Sequence, residues 1–298
     1  MNHPMLLGIA GSLFFAVTFI LNRSMDLEGG SWLWSASLRF WFMAPLLWGL
    51  LRRPEKKAVH DHIFQKPGQW LLWSTVGFGL FYAPLTYAAA YGESWLIAGL
   101  WQVTIVLGAV LAVFWGEPFP RKGIMVSLMV LGGVYLLQSE IGQGQETSLP
   151  LGALAAILLA AAAYPLGNRM MMRVCGATLS ALQRIYGMTL CSLPGWALLS
   201  GAAVYFDGWF GISQAVQSFI VALSSGVIAT WLFFRATDLV RQQPHALAVV
   251  EATQAGEVVF ALFGGCLILG DAWPSLLGLA GLVIIVAGIL FNSLGSAK

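Results

Sequence analysis

The chain has 298 residues, of which 58% are hydrophobic and only 9% charged, with a net charge of +2, where an ordinary soluble domain is about 25% charged. So few polar residues cannot cover a soluble globule of this size, and a mean hydropathy of +0.79 makes this an integral membrane protein. The small positive balance comes from an asymmetry between loops, which excludes a basic nucleic-acid-binding face.

A spanning helix needs about 20 apolar residues, and ten runs qualify, over 5–24, 31–51, 69–91, 94–116, 122–139, 149–171, 178–203, 213–239, 245–269 and 274–293. The first lacks a basic leader region and a small-residue cleavage site, so it reads as a retained helix. Its only polar groups are Ser12, Thr18 and Asn22. After the second, Arg52-Arg53-Pro54 opens a basic loop in which His60 and His62 flank Asp61. Two histidines could hold a metal, but a solvated loop face is the simpler reading. The third run carries Phe78, Phe81, Tyr82 and Tyr87, and the fourth carries Trp101 and Gln102 before it stops at Gly116-Glu117-Pro118.

Gly132-Gly133 in the fifth run, the alanine-rich 153–163 in the sixth and the glycines over 281–288 in the tenth permit close helix packing. The seventh run holds Arg184; the eighth ends in Arg235, Asp238 and Arg241, spaced as an interfacial salt-bridge ladder. In the ninth run, VVEATQAGEVVFAL places Glu251, Gln254 and Glu257 inside an apolar helix. Cys175, Cys191 and Cys266 have no spacing that suggests a disulfide framework or metal cluster. Trp32, Trp34, Trp70, Trp73, Trp95, Trp115, Trp209 and Trp273 fall at run ends as interface anchors. Trp41, Trp101 and Trp231 lie deeper.

Lys and Arg in short loops stay cytoplasmic. Alternate loops hold Arg52, Arg53, Lys56, Lys57 and Lys66, then Arg121 and Lys122, then Arg169 and Arg173, with Arg235, Arg241 and Lys298 beyond. The opposite loops carry Asp26, Glu28, Glu93, Glu140, Glu146, Asp207 and Asp271. Both termini are therefore expected on the cytoplasmic side of the cell (plasma or inner) membrane.

The two halves echo each other. Leu7-Gly8 recurs as Leu151-Gly152, Asn22-Arg23 as Asn168-Arg169, and SASLRFWFM from Ser35 as SALQRIYGM from Ser180, which sets Arg39 opposite Arg184. Gln102 corresponds to Gln254, and Gly116-Glu117 to Gly270-Asp271. Each half has an odd number of spans, so the second must insert upside down. The expected organisation is an all-α membrane fold of ten transmembrane helices in two inverted five-helix repeats, 1–142 and 143–298. Inverted repeats place a site near the midplane, exposed to each side in turn as one half rocks on the other.

This pattern, with the short loops and the Gly-Glu-Pro after the fourth segment, resembles the drug/metabolite transporter superfamily of the EamA-like ten-helix type. VEATQAGEVVFAL and LWQVTIV more narrowly resemble its multidrug resistance efflux branch. The resemblance implies a membrane exporter of small solutes. Four-helix relatives carry an essential glutamate in their first helix, whereas this first segment has no acid, so any proton or cation site lies elsewhere.

An ionised side chain at the bilayer centre costs about 2.5–3.5 kcal/mol, so Glu251 and Glu257 need partners, protons or water. From His245, Glu251 lies about 9 Å and Glu257 about 18 Å along the helix, and the two point about 120° apart. Arg184 sits at a depth similar to Glu251. Glu251 is thus either the structural partner of Arg184 or a substrate ligand. Glu257 has no cation at its expected depth, and there a proton and a cationic substrate can replace one another. The alternative for Glu257 is a protonated group hydrogen-bonded to a neighbouring helix. Arg39 and Arg184 either hold a substrate's acidic group or knit helices together.

Gln102 and Gln254 are pocket candidates because an amide both donates and accepts. Trp101 and Tyr82 supply aromatic faces suited to an organic cation. The substrate- and proton-binding set expected is therefore Glu257, Glu251, Gln254, Gln102, Trp101, Tyr82, Arg184 and Arg39. No GxxxxGK loop and no H-E-x-x-H motif occurs, so neither direct ATP use nor zinc hydrolysis is expected, nor any cofactor, metal or catalytic residue. The function expected is proton-exchanging export of a small organic cation or drug-like compound by a monomer or weak homodimer in the lipid bilayer. Export of amino acids or related metabolites is the alternative. A membrane sensor or lipid-handling subunit, marked by a lateral opening between helices, is the alternative of another class.

Overall fold

The computed structural model describes residues 3–114, 121–140, 149–176, 178–240, 243, 250 and 253–295. Every regular element among the described residues is a helix. α1 (His3–Leu27) turns at Gly29 (φ 77°) into α2 (Trp32–Leu50), whose N-cap Ser31 accepts the Leu33 N–H. Next come α3 (Arg53–Gln65), α4 (Pro67–Ser74), a π segment over Thr75–Gly79, and α5 (Leu80–Ala89). α6 (Ser94–Trp101) breaks at Gln102 before α7 (Val103–Phe114), and α8 is Arg121–Glu140.

α9 (Leu151–Cys175) is stopped by Gly176 (φ 57°), and a capping box of Ser180 and Gln183 starts α10 (Ala181–Asp207). α11 (Ile212–Val221) runs through a π segment, Ala222–Ala229, into α12 (Thr230–Val240). α13 (Ala255–Gly264) leads into a third π segment, Gly265–Leu269, and α14 (Leu276–Gly295) follows.

Among the described residues, four rods are long and apolar enough to cross a membrane: α1, α9, α10 and the continuous run Ile212–Val240. The runs expected as uninterrupted helices over 69–91, 94–116 and 245–269 are instead jointed, at Thr75–Gly79, at Gln102 and at Thr253-Gln254. Hydropathy records apolarity and is blind to hydrogen-bond register, so it could not show these joints.

α1 packs against the Ala222–Ala229 segment, α12 and α13, while α9 packs against the Thr75–Gly79 segment, α5 and α7. α2 lies along α10, and α8 along α14. Glycine sets the closest approaches. A Cβ on Gly167 would stand 2.2 Å from the Gly77 Cα, and one on Gly256 would stand 2.4 Å from Ser12 Oγ.

The basic loop is a docked helix whose outer face, with His60 and Asp61, is solvated as expected. Gln183 Nε2 donates to the Glu55 carbonyl at 3.2 Å, His60 Nε2 and the Tyr186 hydroxyl are 3.2 Å apart, and Trp70 Nε1 donates to His62 Nδ1 at 2.9 Å. Val59 and Trp70 are fully buried against Gly187. No cluster of metal-ligating residues exists among the described residues. The tryptophans also depart from expectation. Trp34, Trp70 and Trp95 are buried rather than anchoring at an interface, and Trp41 and Trp231 point outward.

Candidate substrate-binding site

Where the two large apolar cores of the bundle meet, Phe81 packs against both. Beside it lies a chamber of about 30 Å³ lined by Phe15, Thr18, Phe19, Arg39, Phe81, Leu85, Trp101, Tyr164, Ser225, Gln254 and Glu257. That is room for about one or two waters, well below the roughly 300–1,000 Å³ of small-molecule sites.

Glu257 reaches it from the first turn of α13. Thr253 turns back on the Val250 carbonyl through both its N–H and its hydroxyl, and the Glu257 N–H donates to the Gln254 carbonyl at 2.9 Å in a tight first turn. Gly256 seats this turn against Ser12 of α1. The Glu257 side chain is buried, and among the described residues it has neither a hydrogen bond nor an ion pair. Gln254, at the N-cap of α13, lines the same space.

Arg39 enters from α2, also buried. Its guanidinium lies 4.0 Å above the centroid of Tyr82 and 5.7 Å from that of Phe40. Nη1 makes a long contact, 3.4 Å, to Thr18 Oγ1, and Nε has no partner. Thr18 in turn donates to Ser225 in the second π segment at 2.5 Å. Arg39 and Glu257 thus face one chamber without forming an ion pair with each other within 4.0 Å. Opposite them, Phe81, Trp101 and Tyr164 form an aromatic wall with centroids 4.8–5.6 Å apart.

Four of the residues expected at the site, Glu257, Gln254, Trp101 and Arg39, are brought together, and three are not. Tyr82 lies one layer back, as the plate beneath Arg39, with its hydroxyl donating to Asn22 Oδ1 at 3.3 Å. Gln102 is spent on the α6–α7 joint, where its Nε2 donates to the Ala98 carbonyl at 3.2 Å. Arg184 is away from the chamber, 3.7 Å from Asp238 and stacked on Phe234 at 4.7 Å. Glu251 and Arg241 lie outside the described residues. Asp238 reaches across helices to Arg184; the Arg241 end of the ladder expected along its own helix lies outside the described residues.

Sequence reasoning missed Tyr164 and Ser225. The one signal for Tyr164 was an aromatic residue before Pro165 at the end of an alanine run, and for Ser225 a Ser-Ser-Gly within an apolar run.

The sequence matches the EmrE family, described as "Putative multidrug resistance efflux transporter", over residues 2–298. The chain belongs to this multidrug resistance efflux transporter family. It is therefore a membrane protein of the drug/metabolite transporter superfamily, whose members move small solutes. It is 49% identical to the uncharacterized protein YjlA of Bacillus subtilis, with 97% of this chain and 94% of that one covered. It is 41% identical to an uncharacterized 42.1 kDa protein of Shouchella clausii, with 85% and 69% covered. A solved crystal structure of a protein 15% identical in sequence superimposes with a TM-score of 0.62 over 98% of this chain and 97% of that one, a likeness of fold alone.

Proposed function

We propose that the chain is a secondary exporter of small organic solutes in the cell membrane, working by exchange of substrate for protons at Glu257. The observation that carries this reading is a buried carboxyl group with no partner among the described residues that faces a chamber walled by aromatic rings. An unpaired carboxylate at such depth is costly, so a proton and a cationic group become alternative occupants. That is the elementary requirement of antiport.

Alternating access between inverted halves, 1–142 and 143–298, is part of the proposal. Its support is the packing pattern. α1 meets the π segment and joint of the eighth and ninth runs as α9 meets those of the third and fourth, while α2 pairs with α10 and α8 with α14. Exchanging each run for the one five places on leaves that list unchanged. The proposal includes cytoplasmic termini, following the loop charges, and a monomer or weak homodimer whose other partners are protons and lipid.

Reconstituted protein with a pH-sensitive dye in the vesicle lumen provides the test. Aromatic amines added from outside should release protons through the wild type, and Glu257→Gln should reduce that flux to background at an unchanged unfolding midpoint. Flux of wild-type size from a folded Glu257→Gln protein removes Glu257 from the mechanism.

A further inference from the structure

We infer that the free face of α3 is a lipid-recognition surface, seated on the hydrated head groups of anionic phospholipids in the surrounding bilayer. It is independent of what Glu257 does.

Over residues 52–66, five basic side chains stand against two acidic ones, and the helix segregates them. At about 100° per residue, Arg53, Lys57 and Phe64 fall within about 40° of one another, with Lys56 beside one edge of that arc and Asp61 just past the other. Glu55 points the opposite way and is spent on capping, where it accepts the Arg52 N–H at 2.7 Å. Val59, buried against Gly187 of α10, also lies on the far side. Arg53 and Lys57 are exposed, and Phe64 between them is 81% exposed. Neither these two nor Lys56 forms an ion pair among the described residues.

The direction of the arc is fixed by Trp48. The Lys56 ammonium lies 3.8 Å above the centroid of that ring, and Trp48 is 60% exposed in the last turn of α2, two turns beyond the outward-pointing Trp41. That stripe of α2 is the side it presents to lipid. An ammonium resting on a lipid-facing indole at the end of a spanning helix marks the head-group layer. The arc of Arg53, Lys57 and Phe64 thus continues the lipid-facing surface of α2, while the opposite side of α3 is held by α10. Cations grouped around an exposed aromatic ring are the pattern of an interfacial helix, whose ring enters the acyl boundary while the charges stay among phosphates. A run of basic residues directly after a spanning helix favours lipids with net negative charge. A choline or ethanolamine head group brings its own ammonium beside the phosphate and satisfies this face less well.

Wild type in nanodiscs of phosphatidylcholine, and of phosphatidylcholine mixed with phosphatidylglycerol, gives the test, read by native mass spectrometry of retained lipid and by amide protection across 53–65. Phosphatidylglycerol should be retained in preference and should raise protection, and added salt should weaken both effects. Arg53→Gln together with Lys57→Gln should lower the preference by roughly fivefold to thirtyfold, at about fivefold for each basic residue near an anionic surface. Phe64→Ser should lower retention of both lipids alike. These positions leave the side of α3 that meets α10 untouched, so unfolding midpoints in pure phosphatidylcholine should match wild type. Equal retention of the two lipids by wild type, or a preference that survives the loss of both charges, overturns the proposal. Protection raised as much by soluble glycerol phosphate in phosphatidylcholine discs assigns the face to free phosphate esters and overturns it as well.

Discussion

Arg184 and Asp238 meet at 3.7 Å with 5% and 26% of their side chains exposed, and that difference in burial sets what the contact is worth. A half-wet, long ion pair contributes on the order of 1 kcal/mol. Thermal unfolding of Arg184→Gln, Asp238→Asn and the double variant should therefore show a coupling of about 1 kcal/mol; strict additivity would mean that the two do not interact. Arg39 and Arg184, equivalent by sequence, have diverged in role: one is spent on an acid, the other is left open to the chamber. That divergence was not legible, because equal spacing in two halves says nothing about which acid lies across the interface. Glu257 was legible for the opposite reason, since an acid inside an apolar run has few inexpensive surroundings. Tyr82 and Gln102 were expected in the binding set and lie behind the chamber instead, because depth along a helix does not separate a side chain in the chamber from one directly behind it.

Helices that cross at glycine have no slack. Gly167→Ala would drive a methyl group to within 2.2 Å of the Gly77 Cα, and such overpacking costs about 1–3 kcal/mol. Gly195 in α10 has no neighbour within 4 Å of where its Cβ would be, and Gly195→Ala should gain a few tenths to about 1 kcal/mol in helix propensity. Unfolding midpoints of the two variants should shift in opposite directions; a shift of the same size and sign in both would mean that the Gly77–Gly167 crossing is not tight. The element boundaries were largely readable: Arg52-Arg53-Pro54, Gly29-Gly30 and Gly270-Asp271 each end a helix where chain punctuation predicts. The joints were not. Thr253-Gln254 and the Thr75–Gly79 segment carry ordinary apolar surroundings, and only the hydrogen-bond pattern of the folded chain distinguishes them.

Across the whole molecule, α3 clasps the end of α10, and the clasp contains a titratable hinge pin. Burial, and after it the Lys66 ammonium, hold His62 below the ordinary histidine value, against a smaller opposing effect of its backbone hydrogen bond. The ring accepts the Trp70 indole N–H on Nδ1, which a protonated imidazole cannot do. The undocked helix thus binds the proton more tightly. Docking is fully supported above the free value of about 6.5 and weakens as pH falls through the lower value of the docked state. Amide protection factors across 53–65, corrected for the intrinsic pH dependence of exchange, should fall between neutral and mildly acidic pH, and His62→Gln should flatten that fall; pH-independent protection in the wild type would show that the histidine carries no part of the docking. The docking of this segment's helix was not legible in the sequence, because a partner 126 residues away, Tyr186, leaves no local trace.

The lining of the chamber begins at Phe15 and is completed only by Glu257. During synthesis, then, the guanidinium of Arg39 enters lipid long before its opposite number has left the ribosome, and a truncated product retains a stranded charge with no cavity around it. Under the proposed function, cargo recognition is the last property this polypeptide acquires.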